Sequence, residues 1–117
     1  MKTVKTQGKY ILKGKKAVKE TDLLKWAKWF ETNNRIVRKT EIIKGIKVGK
    51  KALGVPIRIS TVFLGMNHSF GSGKPLLFET MIFGGEYDNY QERYSTWEDA
   101  EKGHKIAVEL VKRINKS

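Results

Sequence analysis

Cysteine is absent from this 117-residue chain, which removes any disulfide framework and any thiolate zinc site. Its apolar runs are far too short to cross a bilayer, and the basic start MKTVKTQGKY is not followed by the apolar stretch of a secretory signal. Histidine is scarce as well, so His68, His104 and Glu79 form the one combination open to metal binding or acid–base chemistry, and no HxH or HExxH spacing supports it. The length suits one two-layer core and not two. The expectation is a soluble, cytoplasmic, single domain over residues 1–117 that is not an enzyme, carries no cofactor or metal, and makes no membrane contact.

What the chain has in excess is positive charge at one end. Residues 1–58 hold 17 Lys and Arg against four acids, whereas residues 59–117 hold seven against eight, so nearly all of the formal +12 sits in the first half. A region so unbalanced is suited to meeting an anion. Two segments concentrate it: the N-terminal arm with Lys2, Lys5 and Lys9 (residues 1–9), continuing through Lys13, Lys15 and Lys16, and the stretch KGIKVGKKALGVP (44–56) with Lys44, Lys47, Lys50 and Lys51. Lysine outnumbers arginine there, which favours point-charge contacts to a phosphate backbone over bidentate reading of bases.

Periodicity outlines an α+β domain. Tyr10–Leu12 reads as a short strand followed by a turn at Gly14–Lys16. Thr21 or Asp22 caps a helix over about 22–32 whose apolar positions are Leu23, Leu24, Ala27 and Phe30, closed by Asn33 and Asn34. RIVRKTEII (35–43), IRISTVFL (57–64) and LLFETMIF (76–83) read as strands, the last apolar on both faces. The lysine-rich 44–56 reads as a protruding, flexible hairpin tip, and EYDNYQERY (86–94) as a polar connection. Two overlapping capping boxes, Ser95 with Glu98 and Thr96 with Asp99, announce a last helix of about 18 residues. Its apolar stripe is Trp97, Ala100, His104, Ala107, Val111 and Ile114. The expected fold is an antiparallel sheet of about four strands, ordered strand-helix-strand-strand-strand-helix, with two helices on one face.

The glycine-rich loop 65–75 contains Gly71, Ser72, Gly73 and Lys74, but Pro75 and a strand follow, so it lacks the P-loop pattern and its helix. A small-ligand reading places a nucleotide between this loop and the last helix, with Asn67, His68, Ser72, Lys74 and His104 converging on it. A third reading, a small metal-dependent nuclease, would use Glu79 and the histidines, although a strand carboxylate can equally pair with an arginine such as Arg58.

Four segments carry a resemblance: WAKWFE (26–31), STVFLGMNHSF (60–70), LLFETMIFGG (76–85) and RYSTWEDAEKGH (93–104). They resemble a family of small bacteriophage and prophage proteins, over about three quarters of the chain. The resemblance implies no activity and transfers no ligand residue. The chain departs from the family at Asn67, where Asp is usual, and in the lysine-rich 44–56, which looks like an added loop. A phage origin would imply an accessory protein that acts on machinery of an infected host, nucleic-acid-guided defence systems included. The leading expectation is a non-enzymatic binder of nucleic acid or of a host nucleoprotein. Lys13, Lys15, Lys16, Lys44, Lys47, Lys50 and Lys51 would converge into one cationic surface.

Overall fold

A computed structural model describes residues 7–69 and 73–114. Lys2 and Lys5 of the expected arm, and Ser72 of the expected ligand site, lie outside the described residues. The elements run β1 (Tyr10–Lys13), β2 (Lys16–Lys19), α1 (Leu23–Thr32), β3 (Ile36–Val48), β4 (Lys51–Phe63), β5 (Phe78–Phe83), β6 (Gln91–Tyr94) and α2 (Trp97–Ile114). β3-β4-β5-β6 form one antiparallel sheet, and β1-β2 form a separate hairpin. The α+β class with an antiparallel sheet is as expected. The membership of the sheet differs: the N-terminal strand pairs with β2 instead of joining it, and the segment read as a polar connection supplies the fourth strand, β6.

The sheet buries one face under α2. Odd residues of β4 (Ile57, Ile59, Thr61, Phe63) point to the helix, and their partners across the ladder with β5 (Phe78, Thr80, Ile82) share that face. Ile57, Ile59 and Ile82 pack on Ala107 and Val111. Phe63 and Phe78, with ring centroids 5.3 Å apart, pack with Tyr10, Leu77 and Ala100. Full burial of rings of this size stabilises by about 1.5–3 kcal/mol each. Gly103 fits because it faces Tyr94: a methyl group there would run into the phenol ring.

Between the aromatic and the aliphatic clusters lies a polar layer. His104, 3% exposed, shares hydrogen bonds with the hydroxyls of Thr40 (Nε2, 2.8 Å) and Thr61 (Nδ1, 2.8 Å), and Thr61 in turn meets Thr80. Burial first, then the positive charge of Arg38, holds the imidazole below its ordinary pKa. A neutral ring has one donor and one acceptor, and both are used here. The histidine of the stripe is therefore a core group.

α2 starts where the capping pattern placed it, with the Thr96 hydroxyl accepting from the Asp99 N–H at 3.1 Å. α1 is capped by Asp22, whose carboxylate accepts from Leu24 and Lys25. Its inward face keeps Leu23, Ala27 and Phe30 of the expected stripe but turns away from Leu24 toward the tryptophans. Leu24 is 70% exposed, while Trp26, Trp29 and Phe30 turn inward. Trp29 meets Phe63 edge-on at 5.6 Å, and the Trp26 indole N–H is shared by the carbonyls of Tyr10 and Gly65. α1 thus lies against the β1–β2 hairpin and reaches the sheet only at its end.

The lysine-rich 44–56 protrudes as a hairpin, as expected, but it is paired along its length and is not a loose loop. β3 and β4 remain paired without interruption from Thr40↔Ile59 out to Val48↔Lys51, whereas β5 pairs with β4 no further out than Arg58. Gly49, with φ +64°, and Lys50 close the ribbon, the glycine standing at the position that requires positive φ in a tight hairpin turn. Pro56, which has no N–H to donate, sits just beyond the last β5 pairing. The six pairs from Ile43↔Pro56 outward project by about 20 Å at the usual rise per residue. The molecule accordingly measures 68 × 27 × 23 Å, with a radius of gyration of 17.8 Å. A compact chain of this length would have about 13 Å.

Candidate nucleic-acid interface

The projecting ribbon holds Lys44, Lys47, Lys50 and Lys51 and no acid. Ladder register assigns Lys44 and Lys51 to the α2 side, together with Ile46, Val48, Leu53 and Val55; Lys47 and Ala52 fall on the opposite side. Ile46, Val48 and Leu53 are 39%, 56% and 48% exposed, so nothing in the described fold covers the ribbon. An isolated two-stranded ribbon is marginal in water. Exposed aliphatic side chains among ammonium groups fit a partner that is anionic and has apolar surface of its own.

Lys13, Lys15 and Lys16 belong to the other end of the molecule. Gly14 (φ +62°) and Lys15 form the turn of the β1–β2 hairpin, which packs through Tyr10 near Phe63. Twelve residues of β4 separate Phe63 from Lys51, about 40 Å of strand. The front-half lysines therefore do not converge into one patch. They form two groups, and cations that sequence reasoning did not single out lie between them.

Those cations are Arg38 on β3 and Lys105 and Lys112 on α2. They border a groove of about 300 Å³ between the helix and β3, with Thr40 and His104 at its base and Glu109 the one acid lining it. Lys105 and Lys112 lie seven residues apart, two turns along one helix flank, a spacing visible in the sequence had the rear half not looked neutral overall. Positive charge continues from this groove toward the hairpin end. Glu101 accepts the Trp97 indole N–H at 2.9 Å, and that bond, aided by the charges of Lys15, Arg38 and Lys105, holds its carboxyl below the usual range. Cations thus follow one side of the molecule, from Lys15 past Arg38, Lys105 and Lys112 to the ribbon.

The expected small-ligand set is dispersed. Asn67 braces its own loop, accepting from the N–H groups of Ser69 (2.8 Å) and Leu76 (3.0 Å), two bonds that an aspartate would also accept. It borders a depression with Lys9 and Lys19, whereas Lys74 and His104 line two other cavities. Glu79 lies on the sheet face away from α2. It accepts from Arg93 (2.9 Å) and Gln91 (2.6 Å) and not from Arg58, which pairs with Glu41. Glu79 and His104 are therefore on opposite faces of the sheet, and among the described residues no three His, Asp or Glu side chains are grouped to hold a metal ion. No helix is long and apolar enough to cross a membrane among the described residues.

Fold and charge together define an α+β protein with a basic β-ribbon arm. Comparison with protein-family models, with curated proteins and with solved structures gave no match.

Proposed function

We propose that the protein binds nucleic acid without enzymatic turnover. The contact follows the line of cations along α2 and β3 and out along the β3–β4 ribbon. The observation that carries this reading is the ribbon itself: a paired, uncovered, acid-free arm with four lysines. Two strands fit the width of a major groove. Ammonium groups on a flexible stem contact phosphates with little regard for sequence, and each such contact releases a counterion. The resemblance to phage proteins is consistent with an accessory role in which a nucleic acid of the host, bare or within a nucleoprotein, is occupied.

Anisotropy of labelled 20-nucleotide single strands and duplexes tests this across ~50–300 mM salt. With Arg38, Lys105, Lys112 and the four ribbon lysines all engaged, log K falls against log salt with a slope of about −5 to −6. A flat salt dependence, or no binding at ~50 mM salt, contradicts it.

A further inference from the structure

A cleft of about 640 Å³ opens where the β1–β2 turn, the 74–78 segment and the start of α2 meet. That size lies within the range of small-ligand sites, about 300–1,000 Å³. Its walls combine two chemistries. Lys13, Lys15 and Lys16 from one segment and Lys74 from a distant one stand exposed around it, with Glu98 the one acid. Beneath them, Tyr10, Leu77 and Phe78 form a buried apolar floor, with Trp97 beside it.

Neither a simple anion nor a simple apolar molecule satisfies both walls. Four ammonium groups brought to one mouth repel one another unless an anion screens them, while an aromatic and aliphatic floor offers an inorganic anion nothing. A flat ring bearing phosphate answers both. Trp97 is prepared for such a ring: its N–H is tied to Glu101 at 2.9 Å and it packs nearly perpendicular to Phe78, centroids 6.3 Å apart, so the plane of the indole is fixed before anything binds. Lys15 stands over that ring with its ammonium 6.0 Å from the centroid, at the outer limit of a cation–π contact. Lys15 and Trp97 both line the cleft, and the exposed lysine can swing off the indole toward a phosphate as a base takes its place on the ring.

We infer that this cleft binds a nucleoside phosphate, the base stacked on Trp97 and the phosphate held by Lys15 and Lys74. The nucleotide is either free or the unpaired residue of a strand. The site lies at the opposite end from the ribbon and does not depend on the nucleic-acid reading.

Calorimetric titration with AMP, UMP, inorganic phosphate and a ten-nucleotide single strand tests the inference, each against the wild type, K15Q/K74Q, and the ribbon variant K44Q/K47Q/K50Q/K51Q. The cleft substitutions are of exposed side chains, so the variant folds. If the ligand is a free nucleotide, AMP or UMP binds, weakens by about tenfold or more in K15Q/K74Q through removal of two charge-assisted hydrogen bonds, and is unchanged in the ribbon variant. If it is a strand residue, only the ten-nucleotide strand binds and it weakens likewise in K15Q/K74Q. The inference is overturned if nothing binds, if K15Q/K74Q binds as the wild type does, or if inorganic phosphate binds as tightly as the nucleotides. Loss of strand binding in the ribbon variant with AMP binding intact separates the two sites, and loss of AMP binding in the ribbon variant overturns the assignment to the cleft.

Discussion

Replacing Lys44, Lys47, Lys50 and Lys51 together with glutamate lowers affinity for a 20-nucleotide strand or duplex by more than about a hundredfold at ~100 mM salt. The size follows from removing four ammonium groups that each neutralise a phosphate, compounded by repulsion from four new carboxylates. Stability barely changes, because the cross-strand neighbours of these residues are Val55, Ala52 and Val48 and no salt bridge is broken. Exposed substitutions of this kind stay within about 0.5 kcal/mol each. Glutamine replacements give a finer reading, the salt slope becoming shallower by about one per lysine removed. Lys25 and Lys28, exposed on α1, are the control pair, and their reversal leaves affinity within a few-fold. A ribbon variant that binds as the wild type does would remove the arm from the contact.

The second large effect is on stability and concerns His104. Its folded pKa is depressed below the ordinary 6.5, by burial first and by Arg38 second. As the medium is acidified through 6.5 the unfolded chain takes up a proton that the folded chain refuses. Stability is therefore complete above that pH, declines by up to about 1.4 kcal/mol per pH unit as pH falls toward the folded pKa, and levels off below it. Melting curves from pH 7.5 to 5.0 should show the wild type losing several degrees that H104Q does not lose. H104Q is less stable at neutral pH, since it cannot span Thr40 and Thr61 as the imidazole does, and its profile over this range is flat. Parallel profiles would mean that the decline comes from other groups.

Both expectations depend on features that differ in how legible they were. α2 could be read nearly to the residue, because its cap and its stripe are local properties of consecutive side chains. The core strands β4 and β5 were equally clear from β-branched and aromatic content. β2 and β6 were not. Lys16–Lys19 and Gln91–Tyr94 are four-residue strands with little apolar alternation, the first with exposed, charged ends and the second opening on Gln, Glu and Arg, and their pairing is made by backbone groups that sequence pattern does not display. The same reason explains the ribbon: glycine and lysine composition indicated a loop, yet Gly49 set a tight turn and the backbone ladder continued to it.

At the proposed site, composition pointed to an excess of cations but not to where the fold places them. Counting by halves concealed Lys105 and Lys112, whose charge is offset in the sum by acids such as Glu79 and Asp88 that bond elsewhere, to Arg93 and to the Gly84 N–H. It also merged two lysine groups that the long axis of β4 holds apart. The cleft was beyond reach because Lys74 and Lys15 are 59 residues apart and meet only through the packing of β1–β2 against the start of α2.

Lysine acetylation of the protein with and without a bound 20-nucleotide strand, read residue by residue by mass spectrometry, bears on the central claim without any substitution. Protection should concentrate at Lys44, Lys47, Lys50, Lys51, Lys105 and Lys112, while Lys25 and Lys28 react at the rate of the free protein. Equal reactivity of the ribbon lysines in the free and bound states, with the complex intact, would contradict a cationic line along α2 and the arm as the surface that holds nucleic acid.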